Sequence, residues 1–305
     1  MKLFFPLVFA LVLIACEGKS KPPKDEAAVK LWEEFSGANA LRHVQQLVDF
    51  GPRPPGTEAL ERARGYITQQ LQTIGWNVTR QTFTDATPRG PMTFVNLIAT
   101  FDPARSGKRA PSFLLCSHYD TKLFETASFV GANDGGSSNG ILLEMAHVLA
   151  VRPELAAKVQ LVFFDGEEAY VAFTKTDGLY GSRHFAKELA ATGKAGQFRG
   201  GILFDMVGDR NLTITLPPDS PSQMTLDIFA AAESLQVRQH FTYAEGGILD
   251  DHTPLNEIGI PVIDLIDFDY PPWHTPGDTM DKLSAESLGV VGSVAARYLC
   301  EVALK

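Results

Sequence analysis

The sequence predicts an α/β fold, a three-layer α/β/α sandwich around a mixed, mostly parallel central sheet. Short apolar runs such as "SFLLC", "VQLVFF" and "GGILF" alternate with longer amphipathic segments, the pattern of a sheet covered on both faces by helices. Each run stops at a histidine or a carboxylate, and parallel sheets bind ligands just beyond the carboxyl ends of their strands. The 305 residues are 45% hydrophobic, with enough apolar side chains for one large core.

The elements follow in order. "NALRHVQQLVDF" has helical periodicity and ends at Gly51, a C-cap candidate, and "GPRPPGT" is irregular. "TEALERARGYITQQLQTIG" is a helix capped by Thr57 and closed by Gly75. "WNVTRQTF" and "MTFVNLIATF" are strands, and "PSFLLCSH", "KVQLVFFD" and "GGILFDMVG" are buried strands. Between these lie the helices "SSNGILLEMAHVLA" and "SRHFAKELAAT". "SPSQMTLDIFAAAESL" is a helix with Ser220 as N-cap, Pro221 at N1 and Gln223 closing a capping box. The strand "GIPVIDLIDF" and a long final helix from Ser284 complete the chain.

The first residues, "MKLFFPLVFALVLIAC", carry one Lys, a short apolar stretch and a small residue before Cys16. That stretch is too short for a membrane span and fits an export leader over residues 1–15. Its ending resembles a bacterial lipoprotein cleavage box, in which Cys16 carries the lipid and anchors the chain to a membrane. Residues 16–30 then form a polar tether, and residues 31–305 form a single domain. The expected location is the periplasmic side of a bacterial cell envelope. Cys116 and Cys300 lie in apolar segments and read as small buried hydrophobes, although an exported protein could pair them. The net charge of −9 argues against nucleic acid as a partner, because phosphate binding needs a basic face. A monomer is the expectation.

The chemistry collects at the strand ends. His118 and Asp120 follow the first buried strand, and Asp134 lies in the loop "GANDGGSSNG" after it. Asp165, Glu167 and Glu168 follow the second, Asp205 ends the third, and His274 follows the last. One sheet edge thus gathers two histidines and several carboxylates, the donor set that binds zinc. Glu167 and Glu168 are adjacent like charges beside a buried strand, and a metal cation is their simplest compensation. Neighbouring residues leave a strand end in different directions. Glu168 is therefore assigned as a metal ligand and Glu167 as the general base and acid facing the substrate.

These motifs, in this order, resemble the zinc aminopeptidase-like metallopeptidase family, whose pattern runs "HYD", "NDGGS", "GEE", an Asp after a strand, and "HT..DT". They stand here as His118-Tyr119-Asp120, Asn133 to Ser137, Gly166-Glu167-Glu168, Asp205, and His274-Thr275 with Asp278-Thr279. With "FGPRPPGT" the resemblance runs from about Leu41 to the C-terminus. Aminopeptidases of the family imply two zinc ions, with Asp134 bridging, His118 and Asp205 on one metal, and Glu168 and His274 on the other. The animal-type glutaminyl cyclases imply one zinc held by Asp134, Glu168 and His274. They convert N-terminal glutamine of peptides or proteins to pyroglutamate and release ammonia.

"FFDGEEAY" with "DGLYGSRHFA", "HYDTKLF", the doubled Asp of "LDDHTPL" and Trp273 before His274 resemble the cyclases. "NDGGSSNG" and "HTPGDT" are peptidase-like, Phe173 stands where the cyclases carry a pocket tryptophan, and Ser117 and Asn139 replace a disulfide of the animal enzymes. The cyclase resemblance implies that Asp205 and Asp250 orient Glu167 and the substrate amide. It also implies that Trp273, Phe173 and Tyr270 wall the pocket. Asp250 reads equally as the N-cap of a following helix. A zinc-dependent glutaminyl-peptide cyclotransferase is the leading expectation and a two-zinc aminopeptidase the alternative.

Overall fold

The computed structural model describes residues 1–2, 30–102, 104 and 110–305. Residues 3–15 of the expected leader, Cys16 and nearly all of the tether lie outside the described residues. Eight strands among the described residues form one sheet: β1 (Trp76–Thr87), β2 (Gly90–Phe101), β3 (Phe113–His118), β4 (Val159–Phe164), β5 (Gly200–Asp205), β6 (Ile214–Leu216), β7 (Phe241–Tyr243) and β8 (Val262–Ile266). Their order is β1-β2-β4-β3-β5-β8-β6-β7. The central strands β4, β3, β5 and β8 are parallel. Antiparallel pairs β2–β4 and β6–β8 flank them, so the sheet is mixed with a parallel centre, as expected.

Alternation along each central strand builds two separate cores. Phe113, Leu115, Leu161, Phe163, Ile202, Phe204, Ile263 and Leu265 point to one face and pack with the helices Gly37–Asp49, Glu58–Thr73, Ser138–Ala150, Ser222–Ser234 and Ala285–Tyr298. Leu114, Cys116, Val162, Phe164, Leu203 and Val262 point to the other, where the helices Tyr180–Ala191 and His252–Glu257 cover them. This is the three-layer sandwich. Cys116 and Cys300 are free thiols and pack with different cores.

Most helix boundaries stand where the capping residues put them. The Thr57 hydroxyl accepts from the Leu60 N–H at 3.2 Å, and Gly51 and Gly75 follow their helices at positive φ. The capping box at Ser220 is not formed. The helix starts one residue later than its box requires, with Pro221 at the cap and no side-chain capping bond. The Ser220 hydroxyl has no hydrogen-bond partner.

Two buried cations brace the edge that carries the chemistry. Arg64, on the helix Glu58–Thr73, pairs with Asp165 at 2.7 Å and donates to the Tyr119 hydroxyl at 2.6 Å. Arg53, in the irregular "GPRPPGT" segment, is fully buried and donates to the backbone carbonyls of Leu47, Tyr119, Val130 and Gly131, at 2.8–3.3 Å.

Candidate active site

Four parallel strands end at one edge, and backbone bends beyond them turn the functional side chains toward a common point. His118 is the last residue of β3 and Asp205 the last of β5. Asp134 sits in the turn Ala132–Ser137, where it leaves helical geometry at ψ 106° and Gly135 takes φ 73°. A Cβ at Gly135 would stand 2.8 Å from the Asp120 carbonyl and 2.9 Å from the His118 ring, so only glycine lets this turn close over the histidine. Gly166, at φ 73° against the Phe94 ring, makes the equivalent bend between β4 and the glutamate pair. Asp120 receives the Glu167 and Glu168 backbone N–H groups at 3.1 and 3.3 Å, fixing the direction in which the two side chains diverge.

His274 is a rare non-glycine residue at φ 53°. Its ring is stacked on Trp273 at 4.1 Å and met edge-on by Phe124 and Phe129. Asp278 receives the Asn133 and Asp134 N–H groups at 2.8 and 3.1 Å, locking the Asp134 turn to the His274 segment. Asn139 donates its amide to the carbonyls of His118 and Gly135, and Ser117 bonds to Ser138 at 2.8 Å. Ser117 and Asn139 thus tie the end of β3 to the helix Ser138–Ala150 and the turn before it by hydrogen bonds.

The donor spacing fits a metal. His274 Nε2 lies 3.4 Å from Asp134 Oδ2 and 3.1 Å from Glu168 Oε2. His118 Nε2 lies 3.3 Å from both Asp134 Oδ1 and Asp205 Oδ1. Ligands about 2.0–2.1 Å from a tetrahedral zinc stand about 3.3 Å from one another, so the histidine–carboxylate spacings of both trios match its edges, and the trios share Asp134. Asp134 Oδ2 is buried with no hydrogen-bond partner, as expected of an oxygen shaped for a cation. Five buried carboxylates crowd the site: Asp134, Glu167, Glu168, Asp205 and Asp250. Lys122 offsets one of them, with Nζ 3.5 Å from Glu168 Oε2.

The family pattern of peptidase family M28 matches residues 96–299. The chain belongs to peptidase family M28. A Bos taurus glutaminyl-peptide cyclotransferase-like protein is 33% identical over 282 residues, covering 82% of this chain and 72% of that protein. The crystal structure of Acidobacteriales bacterium glutaminyl cyclase superposes with a TM-score of 0.81 at 30% identity, over 92% of this chain and 97% of that one. A Zn-dependent exopeptidase from Parabacteroides distasonis superposes with a TM-score of 0.79 at 27% identity, over 88% and 98% of the two chains. The M28 members therefore include relatives named as cyclases and as peptidases on one scaffold.

In this M28 chain a cavity of about 190 Å³ opens above the donors. Glu167, Asp205, Asp250, Asp134 and His274 form its polar part, and Trp273 and Phe173 stand in its wall as expected. Tyr270 does not line the cavity, contrary to expectation. It lies behind the wall, packed with Met206 and Ile266, and its hydroxyl donates to Asp278 at 2.8 Å. The cavity-facing apolar residues that sequence reasoning missed are Met206, Ile248, Leu249, Ile266 and Phe268. Asp250 faces the cavity and does not cap the helix His252–Glu257, which begins after Asp251 without a side-chain cap. Behind Asp250 lie buried His252 and Asp264, 3.4 Å apart and also unsuspected from sequence.

Burial dominates the electrostatics. It raises the Glu167 carboxyl well above its ordinary value, with Glu168 and Asp250 adding to the shift against the opposing pull of His118. It lifts Glu168 to about 7 and Asp250 to about 6. It would depress His118, but Asp120, Asp134 and Asp205 carry that ring well above its ordinary value. Burial lowers His274 to about 4, which leaves it neutral and ready to ligate.

A pH dependence follows. Asp165 is also raised, to about 7, by burial. These carboxyls have folded values above their unfolded ones, so their contribution to stability is full below pH ~4 and is lost as pH rises through 6–7. His274 changes sign of proton uptake only between about 4 and 6.5, so it does not oppose this above pH 6.5. With metal chelated, thermal melts should show lower stability at pH 8 than at pH 6.5. Saturating zinc should remove or invert that slope, because it holds Glu168 ionised. Equal slopes with and without zinc would show that the donors do not bind it.

Proposed function

We infer that this chain is a zinc-dependent glutaminyl-peptide cyclotransferase, converting the N-terminal glutamine of peptides or proteins to pyroglutamate with release of ammonia. The observation that carries the reading is the cavity: room for a single side chain, apolar walls, and the Glu167 and Asp250 carboxylates beside the donors. Its similarity to the named cyclases supports the same reading.

Asp134, Glu168 and His274 would hold one zinc, which supplies Lewis acidity toward the γ-carbonyl of the bound glutamine. The nucleophile is the substrate's own α-amine, already tethered to its target. As the α-nitrogen bonds to the γ-carbon, Glu167 takes a proton from that nitrogen. It then delivers a proton to the γ-amide nitrogen as the carbon–nitrogen bond breaks and ammonia leaves. Asp205 and Asp250 flank Glu167 and orient it and the amide by hydrogen bonding. Their charge also keeps Glu167 basic enough to accept a proton. Trp273, Ile266 and Phe173 exclude water, which would compete with the amine.

The test is incubation of residues 31–305 plus zinc with Gln-Phe-Ala and Leu-Phe-Ala, followed by mass spectrometry. Loss of ammonia from the first peptide alone supports the reading; release of free Leu or Gln sinks it. The His118–Asp134–Asp205 trio favours a second reading, a two-zinc aminopeptidase, which metal counting separates: one zinc per chain or two.

We propose further that the chain is an exported lipoprotein held at the cell envelope through Cys16. The leader-like residues 1–15 support this. Cys16→Ser should move the protein from the membrane fraction to the soluble one, and retention in the membrane would exclude the anchor.

A further inference from the structure

The catalytic cavity, at about 190 Å³, is smaller than the ~300 Å³ lower bound of sites for drug-sized ligands. It takes the glutaminyl residue and leaves the rest of a peptide outside. A second depression of about 640 Å³ adjoins it, and Gly247, Ile248 and Phe268 form part of both walls. Thr213, Thr215 and Tyr243 line its far part, and its charged residues are Glu245 and Asp269. Among the described residues no lysine or arginine lines it.

We propose that this trough binds the residues following the N-terminal glutamine, positions two to four of the substrate, and favours basic side chains there. The inference rests on the cyclotransferase reading. Three observations carry it. The trough and the catalytic cavity share the wall formed by Gly247, Ile248 and Phe268, so a chain leaving the cavity past that wall meets the trough. No side chain crowds the glycines of the trough wall: a Cβ built on Gly246 or Gly247 meets no atom within 4 Å. Exposed Tyr243, Leu249, Phe268 and Trp273 border the shared mouth, and contiguous exposed apolar side chains mark surfaces that meet a partner. The two exposed carboxylates then fix the sign of charge that the trough prefers. Three extended residues reach about 10 Å, enough to run from the mouth into the trough.

The test compares Gln-Ala-Lys-Lys, Gln-Ala-Ser-Ser, Gln-Ala-Glu-Glu and glutamine amide with the zinc-loaded enzyme. The lysine peptide should exceed the glutamate peptide about fivefold in kcat/KM, the gap lying in KM, as two exposed charge contacts would give. High salt should shrink the ratio. Glu245→Gln combined with Asp269→Asn should shrink it likewise. The ratio is read within each variant, so any general loss of activity cancels. Equal kcat/KM for the three peptides, or a ratio that the double substitution leaves intact, overturns the trough while the cyclotransferase reading stands. Failure of every substrate to cyclise overturns both.

Discussion

Replacing Glu167 by Gln should lower kcat by about 10²–10⁴-fold while leaving the fold and the bound zinc intact. Glutamine keeps the shape of the side chain but cannot take a proton from one nitrogen and deliver it to another. The backbone anchor survives, because it is the Glu167 N–H that Asp120 holds. Glu168 and His274 remain in place, so metal analysis and thermal melts should match the parent protein. Activity within tenfold of the parent would remove Glu167 from the proton-transfer role. If zinc were lost together with activity, Glu167 would be a ligand and the assignment of the pair would be reversed.

The second large effect is structural. Arg53→Met should destabilise the protein by about 4 kcal/mol, the scale of a broken buried charge site. Methionine fills the space but leaves the carbonyls of Leu47, Tyr119, Val130 and Gly131 without their donor. Two of these carbonyls border the segments that carry His118 and Asp134, so zinc affinity should fall as well. The loss corresponds to a melting temperature lowered by roughly 10 °C. Lysine should not rescue it, because one ammonium cannot reach four carbonyls set around a planar guanidinium. A melting temperature within a degree or two of the parent would show that water replaces those bonds.

The parallel centre of the sheet was legible because its strands are short apolar runs bounded by turn residues, a pattern that helices of that length do not show. The donors were legible because each stands at the end of such a run or in the loop that follows it. The short strands Ile214–Leu216 and Phe241–Tyr243 were not, because three residues carry no periodicity and their pairing depends on distant neighbours. Ser220 shows how weak a local capping signal is: its pattern is complete, yet Pro221 takes the cap position. Tyr270 was misplaced because sequence proximity to Trp273 says nothing about which side of the wall a ring occupies. The bracing role of Arg53, the Arg64–Asp165 pair and the His252–Asp264 cluster join residues far apart in the chain. No local pattern encodes such contacts.

The clamp that Asp278 places on the Asn133–Asp134 turn also sets an order of assembly. Synthesis delivers Asp134 and Glu168 well before His274 and Asp278, the last parts of the site to arrive. Until then Asp134 and Glu168 stand without the His274 imidazole and without the backbone lock. On the one-zinc reading, the ligand set would be complete only once the segment carrying His274 and Asp278 has docked. Under that reading, a product cut short before Trp273 would lack one of the three proposed ligands, His274, and the Asp278 clamp on Asp134.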